Sequence, residues 1–324
     1  MTDSLINAAA ERLDRRVPAT TPIRSDIGVS FEFFPPASDN GLAGLAASAE
    51  ELHPFDPRFV SVTYGAGGSG QDKTFSALEE LGSIDGLPVA GHLTCVSACR
   101  ASVNQVIDKY RGLGVTRIVA LRGDAPDGVE GCDPDGTHPN GYRNAAELVE
   151  GIRARADGDD FDISVAAYPE FHPLAASPQA DLDNLKAKLD AGADRALTQF
   201  FFDTDHFLRF LERARASGIT APIVPGIMPI TNFAGIARFS ERCGTEIPTW
   251  MADLFEGLDE APEIRELVAA TVAAEQCKRL LEHGVRDFHF YTMNKPNLTA
   301  ATCRILGITP AAVARRQNES SQAS

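Results

Sequence analysis

The stretch from Val62 to Cys95 reads VTYGAGGSGQDKTFSALEELGSIDGLPVAGHLTC, and it distinguishes between two α/β folds. Its glycines Gly65, Gly67 and Gly70 lie between an apolar strand and an amphipathic helix, and they satisfy the GxGxxG pattern of a dinucleotide-binding Rossmann domain. Such a domain also needs an acidic residue at the end of the next strand, where it binds the ribose. The next strand here ends in the sequence GHLTCVS, which contains no acidic residue. We therefore interpret the glycines as a flexible loop of a barrel, which lets a ligand approach the backbone closely.

Eight short apolar runs alternate with helical patterns along the chain, and this alternation predicts an α/β fold of the closed (β/α)8 TIM-barrel type. Several runs are apolar at consecutive positions, as expected for parallel strands that are covered on both sides. The intervening patterns have apolar residues three and four positions apart and end at a glycine suited to a helix C-terminus. The predicted strands are Val29–Phe33, Phe59–Tyr64, Pro88–Thr94, Arg117–Leu121, Asp162–Tyr168, Arg195–Phe200, Pro222–Ile227 and Asp287–Tyr291.

The length of 324 residues suits one barrel with additional segments, because a single barrel typically needs about 250 residues. We predict an N-terminal helical extension at residues 1–26, a catalytic barrel at 27–312 and a disordered tail at 313–324. Extra helix is expected between the seventh and eighth strands, from Thr249 to His283. The Gly-, Pro- and Asp-rich segment Gly123–Gly141 predicts a long functional loop after the fourth strand.

The composition narrows the functional classes. The net charge of −15 and the isoelectric point of about 4.9 disfavour binding to nucleic acid or to an anionic membrane. No apolar run approaches the roughly 18 residues that span a bilayer, and the N-terminus lacks the apolar stretch of a signal peptide. The six cysteines are scattered without a CxxC pair or zinc-ligand spacing. We therefore expect a cytoplasmic protein with reduced thiols and no bound metal.

Polar residues recur where the predicted strands end, and a closed barrel places all of these ends on the face that carries the active site. They are Glu32, Thr63, His92, Asp124, Tyr168, Gln199 and Tyr291. Glu32 lies among apolar side chains in VSFEFFPP, so we expect burial to raise its pKa towards the range of a general acid. The alternative is that Glu32 points outward into a salt bridge. His92 alone would be a core histidine, but as one member of this series it predicts a ligand contact.

Three further motifs indicate how the site binds a ligand. The segment Arg122–Asp124 places opposite charges on either side of a glycine, where they could bracket a polar ligand, although a plain salt bridge is more common. Gln199 precedes three Phe residues, and an amide in that apolar place indicates bidentate recognition of a heterocycle. One helical face carries Asp181, Asn184 and Lys188, which the pattern alone describes as a solvated face with an ion pair.

Nine motifs between Ile27 and Ile308 occur in the order found in one known family. They are SFEFFPP, FVSVTYGA, HLTC, VALRGD, DISVAAYPE–HP, QADL–NLK–K–DAGA, TQFFFD, PGIMPI–NF and DFHFYT. Over nearly its whole length the chain resembles the methylenetetrahydrofolate reductases, in particular the bacterial single-domain type. The resemblance implies a (β/α)8 barrel, in agreement with the alternation of strands and helices.

The resemblance also implies a flavoenzyme of one-carbon metabolism that serves methionine biosynthesis. In that family NADH or NADPH reduces bound FAD, and 5,10-methylenetetrahydrofolate then takes the hydride and becomes 5-methyltetrahydrofolate. Folate and nicotinamide substrates are therefore the expected partners. The family is usually oligomeric, so we expect a homo-oligomer. We expect no second domain after the barrel, and therefore no inhibition by S-adenosylmethionine.

Individual residues acquire roles from the same resemblance. Glu32 matches the family's general acid, and Asp124 matches an acidic residue beside the flavin and the folate pterin. Cofactor-binding positions are matched by Thr63, His92, Arg122, Gly123, Asp124, Tyr142, Ala166, Tyr168, His172, Asp181, Asn184 and Lys188. Substrate-binding positions are matched by Glu32, Asp124, Gln199, Phe239, Tyr291 and Lys295. Under this assignment the helical face of Asp181 meets the cofactor rather than solvent.

Three positions depart from the best-known bacterial pattern, because Gly235 replaces Gln, Met293 replaces Leu and Lys295 replaces Arg. Lysine keeps the charge but loses the bidentate fork of arginine, so we expect altered affinity for folates or their glutamate tails. Two other classes of protein are alternatives, a Rossmann-type NAD dehydrogenase and a non-catalytic barrel. The missing ribose-binding acid and the count of eight strands argue against the first. The intact Glu32, Asp124 and Gln199 argue against the second.

Overall fold

Eight parallel strands close into a barrel in the computed structural model, and each strand pairs with the next one along the chain. The structure describes residues 26–64, 71–124, 132–133, 135–314 and 317. The strands are β1 Gly28–Phe33, β2 Val60–Val62, β3 Val89–Thr94, β4 Arg117–Leu121, β5 Asp162–Ala167, β6 Arg195–Phe200, β7 Ile223–Ile227 and β8 Asp287–Tyr291. Strand β1 pairs with β8 from Gly28 opposite Asp287 to Glu32 opposite Tyr291, and this seam closes the barrel.

This topology confirms the predicted (β/α)8 fold. Every predicted strand is present, and each end agrees with the sequence-based bounds to within two residues. A closed barrel also excludes the open, doubly wound sheet of a Rossmann domain. The glycines of the GAGGSG loop at 65–70 lie outside the described residues, as does the segment 125–131 of the predicted loop after β4.

Helices follow the strands and cover the outside of the barrel. In the described part of the chain they are α1 Leu42–Leu52, α2 Gln71–Gly82, α3 Arg100–Gly112, α4 Ala145–Arg153, α5 Pro178–Asp190, α6 Thr204–Ala216, α7 Phe233–Cys243, α8 Thr249–Phe255, α9 Pro262–Glu282 and α10 Pro296–Ile305. The extra helical segment predicted between the last two strands is confirmed, and it consists of α8 and the 21-residue α9. None of these helices is long and apolar enough to cross a membrane.

Several helices begin where a polar side chain accepts a hydrogen bond from the first turn, which otherwise has unpaired N–H groups. Asn144 does this for α4, Ser177 for α5, Asp203 for α6 and Asn232 for α7. These caps lie just after the strand ends or their loops, so they fix where the chain turns from the barrel into each helix.

Alternate side chains along each strand face the barrel interior. A small apolar cluster fills the interior, and its members are Phe59, Ala90, Val119, Leu197 and Val224. On β3, His92 follows Ala90 by two residues and therefore faces the same way. On β6, Gln199 stands in the same relation to Leu197. The polar strand ends consequently lie above an apolar floor that Val119 and Leu197 contribute to the cavity.

The termini are described only in part. The predicted N-terminal helical extension falls at residues 1–25, outside the described residues, except for Asp26. At the other end, the helical stretch 310–314 includes the first two residues of the predicted tail. The apolar side chain of Val313 packs into the main core. Residues 318–324 lie outside the described part.

Replacing Gly91 on β3 by alanine should destabilise the barrel. A Cβ atom there would lie 2.6 Å from Cε2 of Tyr110, which is fully buried and donates a hydrogen bond to the His92 carbonyl at 2.6 Å. We expect Gly91→Ala to lower the free energy of unfolding by about 1–3 kcal/mol, measured by urea unfolding. Gly112→Ala is the matched control, because no heavy atom lies within 4 Å of its Cβ position. Equal stabilities of the two variants would contradict this packing.

Candidate active site

Two neighbouring cavities open at the carboxyl ends of the strands, and each has a volume of about 420 Å³. They share Leu121, Ala166 and Tyr168, so they are compartments of one groove. Of the residues predicted from sequence, the first cavity brings together Glu32, Thr63, His92, Gln199, Phe239 and Tyr291. The second brings together Arg122, Gly123, Asp124, His172, Asp181, Asn184 and Lys188.

Two of the predicted residues line neither cavity. Tyr142 is buried in the main core, where its ring lies 4.7 Å from the guanidinium carbon of Arg100. Lys295 is exposed and immediately precedes α10. It follows Met293, which does line the first cavity, by two residues along the chain.

The carboxylate of Glu32 faces the first cavity and lies between two histidines. Its Oε2 is 3.2 Å from Nε2 of His92 and 3.5 Å from Nε2 of His289. The contact with His289 is a hydrogen bond, whereas the contact with His92 has the distance of an ion pair without the angle of a hydrogen bond. Ser30 Oγ lies 2.8 Å from Nδ1 of His289 and continues the chain of contacts. Glu32 therefore points inward, and the outward salt bridge considered from the sequence is wrong.

The sequence-based expectation of a raised pKa for Glu32 is also wrong for the protein without ligand. Burial alone raises the pKa of a carboxyl group. Here the electrostatic attraction of His92 and His289 and the short side-chain contacts with both rings outweigh burial and lower the pKa of Glu32 from 4.5 to about 2. Glu32 is therefore a carboxylate at neutral pH.

Sequence reasoning that considered only strand ends missed His289 and Ser30. Both are buried, with exposed fractions of 0% and 4%. The signal was the two-residue alternation of a strand, because His289 precedes Tyr291 by two positions on β8 and Ser30 precedes Glu32 by two on β1. A polar residue two positions before an inward-facing polar strand end is thus part of the same site.

The turn after β4 depends on a glycine. Gly123 has a φ of +87°, and a Cβ atom there would lie 2.7 Å from Cγ1 of Val96 and 2.9 Å from Cβ of Thr94. Only glycine satisfies both the backbone angle and the space. The turn directs both Arg122 and Asp124 towards the second cavity, where opposite charges border the same space.

Two of the three residues on the helical face of α5, Asp181 and Lys188, are buried, whereas Asn184 is exposed. Lys188 is buried and its Nζ donates a hydrogen bond to the carbonyl of Ala166 at 2.6 Å, and burial lowers the pKa of Lys188 to about 8. Asp181 accepts a hydrogen bond from the backbone N of His172 at 3.1 Å, and burial raises the pKa of Asp181. The His172 ring meets Tyr168 edge-on at 4.6 Å, and burial raises the pKa of that phenol to about 12.

Aromatic side chains form the other wall of the first cavity. Phe239 stacks on Phe200 with ring centroids 5.4 Å apart and planes 15° apart. The Tyr291 hydroxyl donates to the carbonyl of Thr198 at 2.7 Å, which fixes the ring. The Gln199 Oε1 accepts from the backbone N of Phe200 at 3.1 Å. The arrangement provides apolar ring faces with an amide among them, which suits a planar heterocyclic ligand.

The sequence pattern of the family described as methylenetetrahydrofolate reductase matches residues 19–307. The chain belongs to the methylenetetrahydrofolate reductase family. The 5,10-methylenetetrahydrofolate reductase of Pectobacterium carotovorum is 46% identical over 288 residues, which cover 89% of this chain and 93% of that protein. The enzyme of the same name from Escherichia coli K12 is 45% identical over the same coverage. The family membership inferred from the motifs is thus confirmed.

Two further comparisons concern a longer relative and a solved structure with a similar fold. Methylenetetrahydrofolate reductase (NADH) 1 of Arabidopsis thaliana is 39% identical over 280 residues, which cover 82% of this chain but 46% of the plant protein. Among solved structures, an uncharacterized protein from Clostridium thermocellum that binds two copies of 5-methyl-5,6,7,8-tetrahydrofolic acid aligns with a TM-score of 0.56 and 13% identity. That alignment covers 89% of this chain and 96% of that one, and it supports the fold.

The lowered pKa of Glu32 predicts a pH-dependent contribution to stability. Because the folded pKa of about 2 lies below the ordinary 4.5, the contribution is present above pH 4.5 and is lost as the pH falls towards 2. Between pH 5 and pH 3.5 the unfolding free energy of the wild type should fall by about 1 kcal/mol more than that of Glu32→Gln. Urea unfolding at several pH values measures this, with Glu50→Gln at an exposed position of α1 as the charge-matched control. Parallel pH profiles for the wild type and Glu32→Gln would contradict the assigned electrostatics.

Proposed function

We propose that the protein is an FAD-dependent reductase that interconverts 5,10-methylenetetrahydrofolate and 5-methyltetrahydrofolate with NADH or NADPH as co-substrate. Family membership supports the folate reaction. The observation that carries the proposal is the carboxylate of Glu32, which faces the first cavity and lies in contact with His92 and His289. When bound, FAD would accept a hydride from the nicotinamide and deliver it to the folate.

The residues of the second cavity fit FAD. Arg122 and Lys188 contribute positive charge, which suits a diphosphate. Gly123 lines this cavity between Arg122 and Asp124, so its backbone borders the space that the cofactor would occupy. Asp181 and Asn184 offer oxygen and amide groups to hydroxyls. The two connected compartments suit an elongated ligand, with its polar part in the second and its ring system beside the first.

Glu32 would supply the proton that opens the five-membered ring of the folate. Ring opening needs a proton at N10, and Glu32 would deliver it with the two adjoining imidazole rings beside it. Since Nε2 of both His92 and His289 faces Oε2 of Glu32, a proton on either ring can reach the carboxylate directly. Ser30 fixes the orientation of His289 through Nδ1.

The remaining residues of the first cavity would bind the pterin and exclude water. Phe239 presents a stacked ring, and Gln199 offers an amide that can pair with the edge of a heterocycle. Asp124 borders the neighbouring compartment, where its charge would influence both flavin and folate. Lys295 is exposed two residues beyond the cavity-lining Met293, and its charge would meet the anionic glutamate tail of a folate.

Absorbance spectroscopy of the purified protein tests this function. We expect a flavin spectrum that bleaches when NADH or NADPH is added without oxygen and returns when 5,10-methylenetetrahydrofolate follows. Glu32→Gln is the matched variant: it should retain the flavin and the bleaching step, but the return should slow by about 10²-fold or more, the usual contribution of a general acid. A protein that cannot be loaded with FAD, or a wild-type flavin that the folate does not reoxidise, would contradict the proposal.

A further inference from the structure

The turn that follows β8 has an unusual backbone. Met293 and Asn294 both have a φ of 53°, in the left-handed region that side chains other than glycine rarely occupy. The N–H of Lys295 donates to the carbonyl of Thr292 at 2.9 Å, so Thr292–Lys295 is a β-turn of type I′. Asparagine tolerates this conformation, but methionine does not favour it. Something outside the turn must therefore hold it.

The neighbouring end of β1 holds the turn through side-chain and backbone hydrogen bonds. The side-chain amide of Asn294 makes two hydrogen bonds with the backbone of Phe34, just after β1. Its Oδ1 accepts from the Phe34 N at 3.0 Å, and its Nδ2 donates to the Phe34 O at 2.8 Å. Thr292 donates twice to the Glu32 carbonyl, from Oγ1 at 2.7 Å and from N at 3.2 Å. The N–H of Asn294 donates to Oγ1 of Thr292 at 3.1 Å. We call this set of contacts the seam clip.

The seam clip continues the barrel closure past the end of the sheet. Pairing between β1 and β8 ends with Glu32 opposite Tyr291. The clip holds the segments that follow β1 and β8 together for two to three residues more. Phe34 and Met293, which lie in these segments, both line the first cavity. Phe34 is 41% exposed, so few other contacts restrain it. The position of two cavity walls therefore depends on the amide of Asn294.

We propose that Asn294 is a positioning residue for the folate half of the reaction. The seam clip connects the peptide of Glu32, the walls Phe34 and Met293, and the backbone that presents Lys295. Only the folate step uses the proton of Glu32 and the charge of Lys295, so the clip serves that step and not the oxidation of the nicotinamide. The inference rests on the proposed function, and it adds a role for a residue that contacts no substrate itself.

Asn294→Gly is the sharpest test, because glycine keeps the left-handed backbone and loses only the amide. We expect the affinity for 5-methyltetrahydrofolate, measured by calorimetry, and kcat/KM for the folate to fall about tenfold. Reduction of the flavin by the nicotinamide should change less than about twofold. Asp56→Gly is the matched control, since Asp56 also has a positive φ of 54° but lies before β2 at the opposite end of the barrel. It should leave every kinetic value unchanged.

A second variant distinguishes a positioning role of Asn294 from a general loss of stability. Asn294→Asp keeps the acceptor for the Phe34 N but places an oxygen against the Phe34 O, so it should show the same selective loss with a melting temperature close to the wild type. Equal folate affinity in Asn294→Gly and wild type, or equal losses in both half-reactions, would overturn the inference and leave the proposed function intact. A wild-type protein that neither binds nor reduces the folate would overturn both.

Discussion

The contact of the Glu32 carboxylate with His92 and His289 inside the barrel is the interaction on which the site depends. A buried carboxylate without a partner costs several kcal/mol, and it would avoid that cost by binding a proton. The histidines reverse the outcome, so the pKa is lowered rather than raised. The group that results is a charged carboxylate with two nearby proton carriers, which is chemically different from the isolated protonated acid that burial alone produces.

This interaction requires a closed barrel. Glu32 comes from β1, His92 from β3 and His289 from β8, and β1 pairs directly with β8 at the seam. The apolar cluster inside the barrel supports these residues from below, and Tyr110 of α3 holds the carbonyl of His92 from outside. The contacts that keep Glu32 charged therefore depend both on the closure of the barrel and on the packing of its interior.

The sequence predicted what depends on local pattern and missed what depends on distant neighbours. Strand bounds follow from apolar runs, and the inward direction of the strand-end residues follows from alternation, so both could be inferred. The charge of Glu32 could not, because its hydrogen-bond partner His289 lies 257 residues away in the chain. Helical periodicity likewise could not predict the burial of Lys188, because this burial depends on the loop after β5, which packs against α5. Only the family resemblance indicated that this face meets a ligand.

The ionisation of Glu32 in the protein without ligand is the most direct test of this account. Infrared difference spectroscopy can follow the carboxyl group from pH 8 down to the lowest pH at which the protein stays folded, with Glu32→Gln to assign the band. The account predicts a charged Glu32 across this range, because its pKa is about 2, and partial protonation at higher pH once His289 is replaced by glutamine. A titration midpoint at or above the ordinary value of 4.5 in the wild type would show that burial outweighs the histidines, and it would contradict the account.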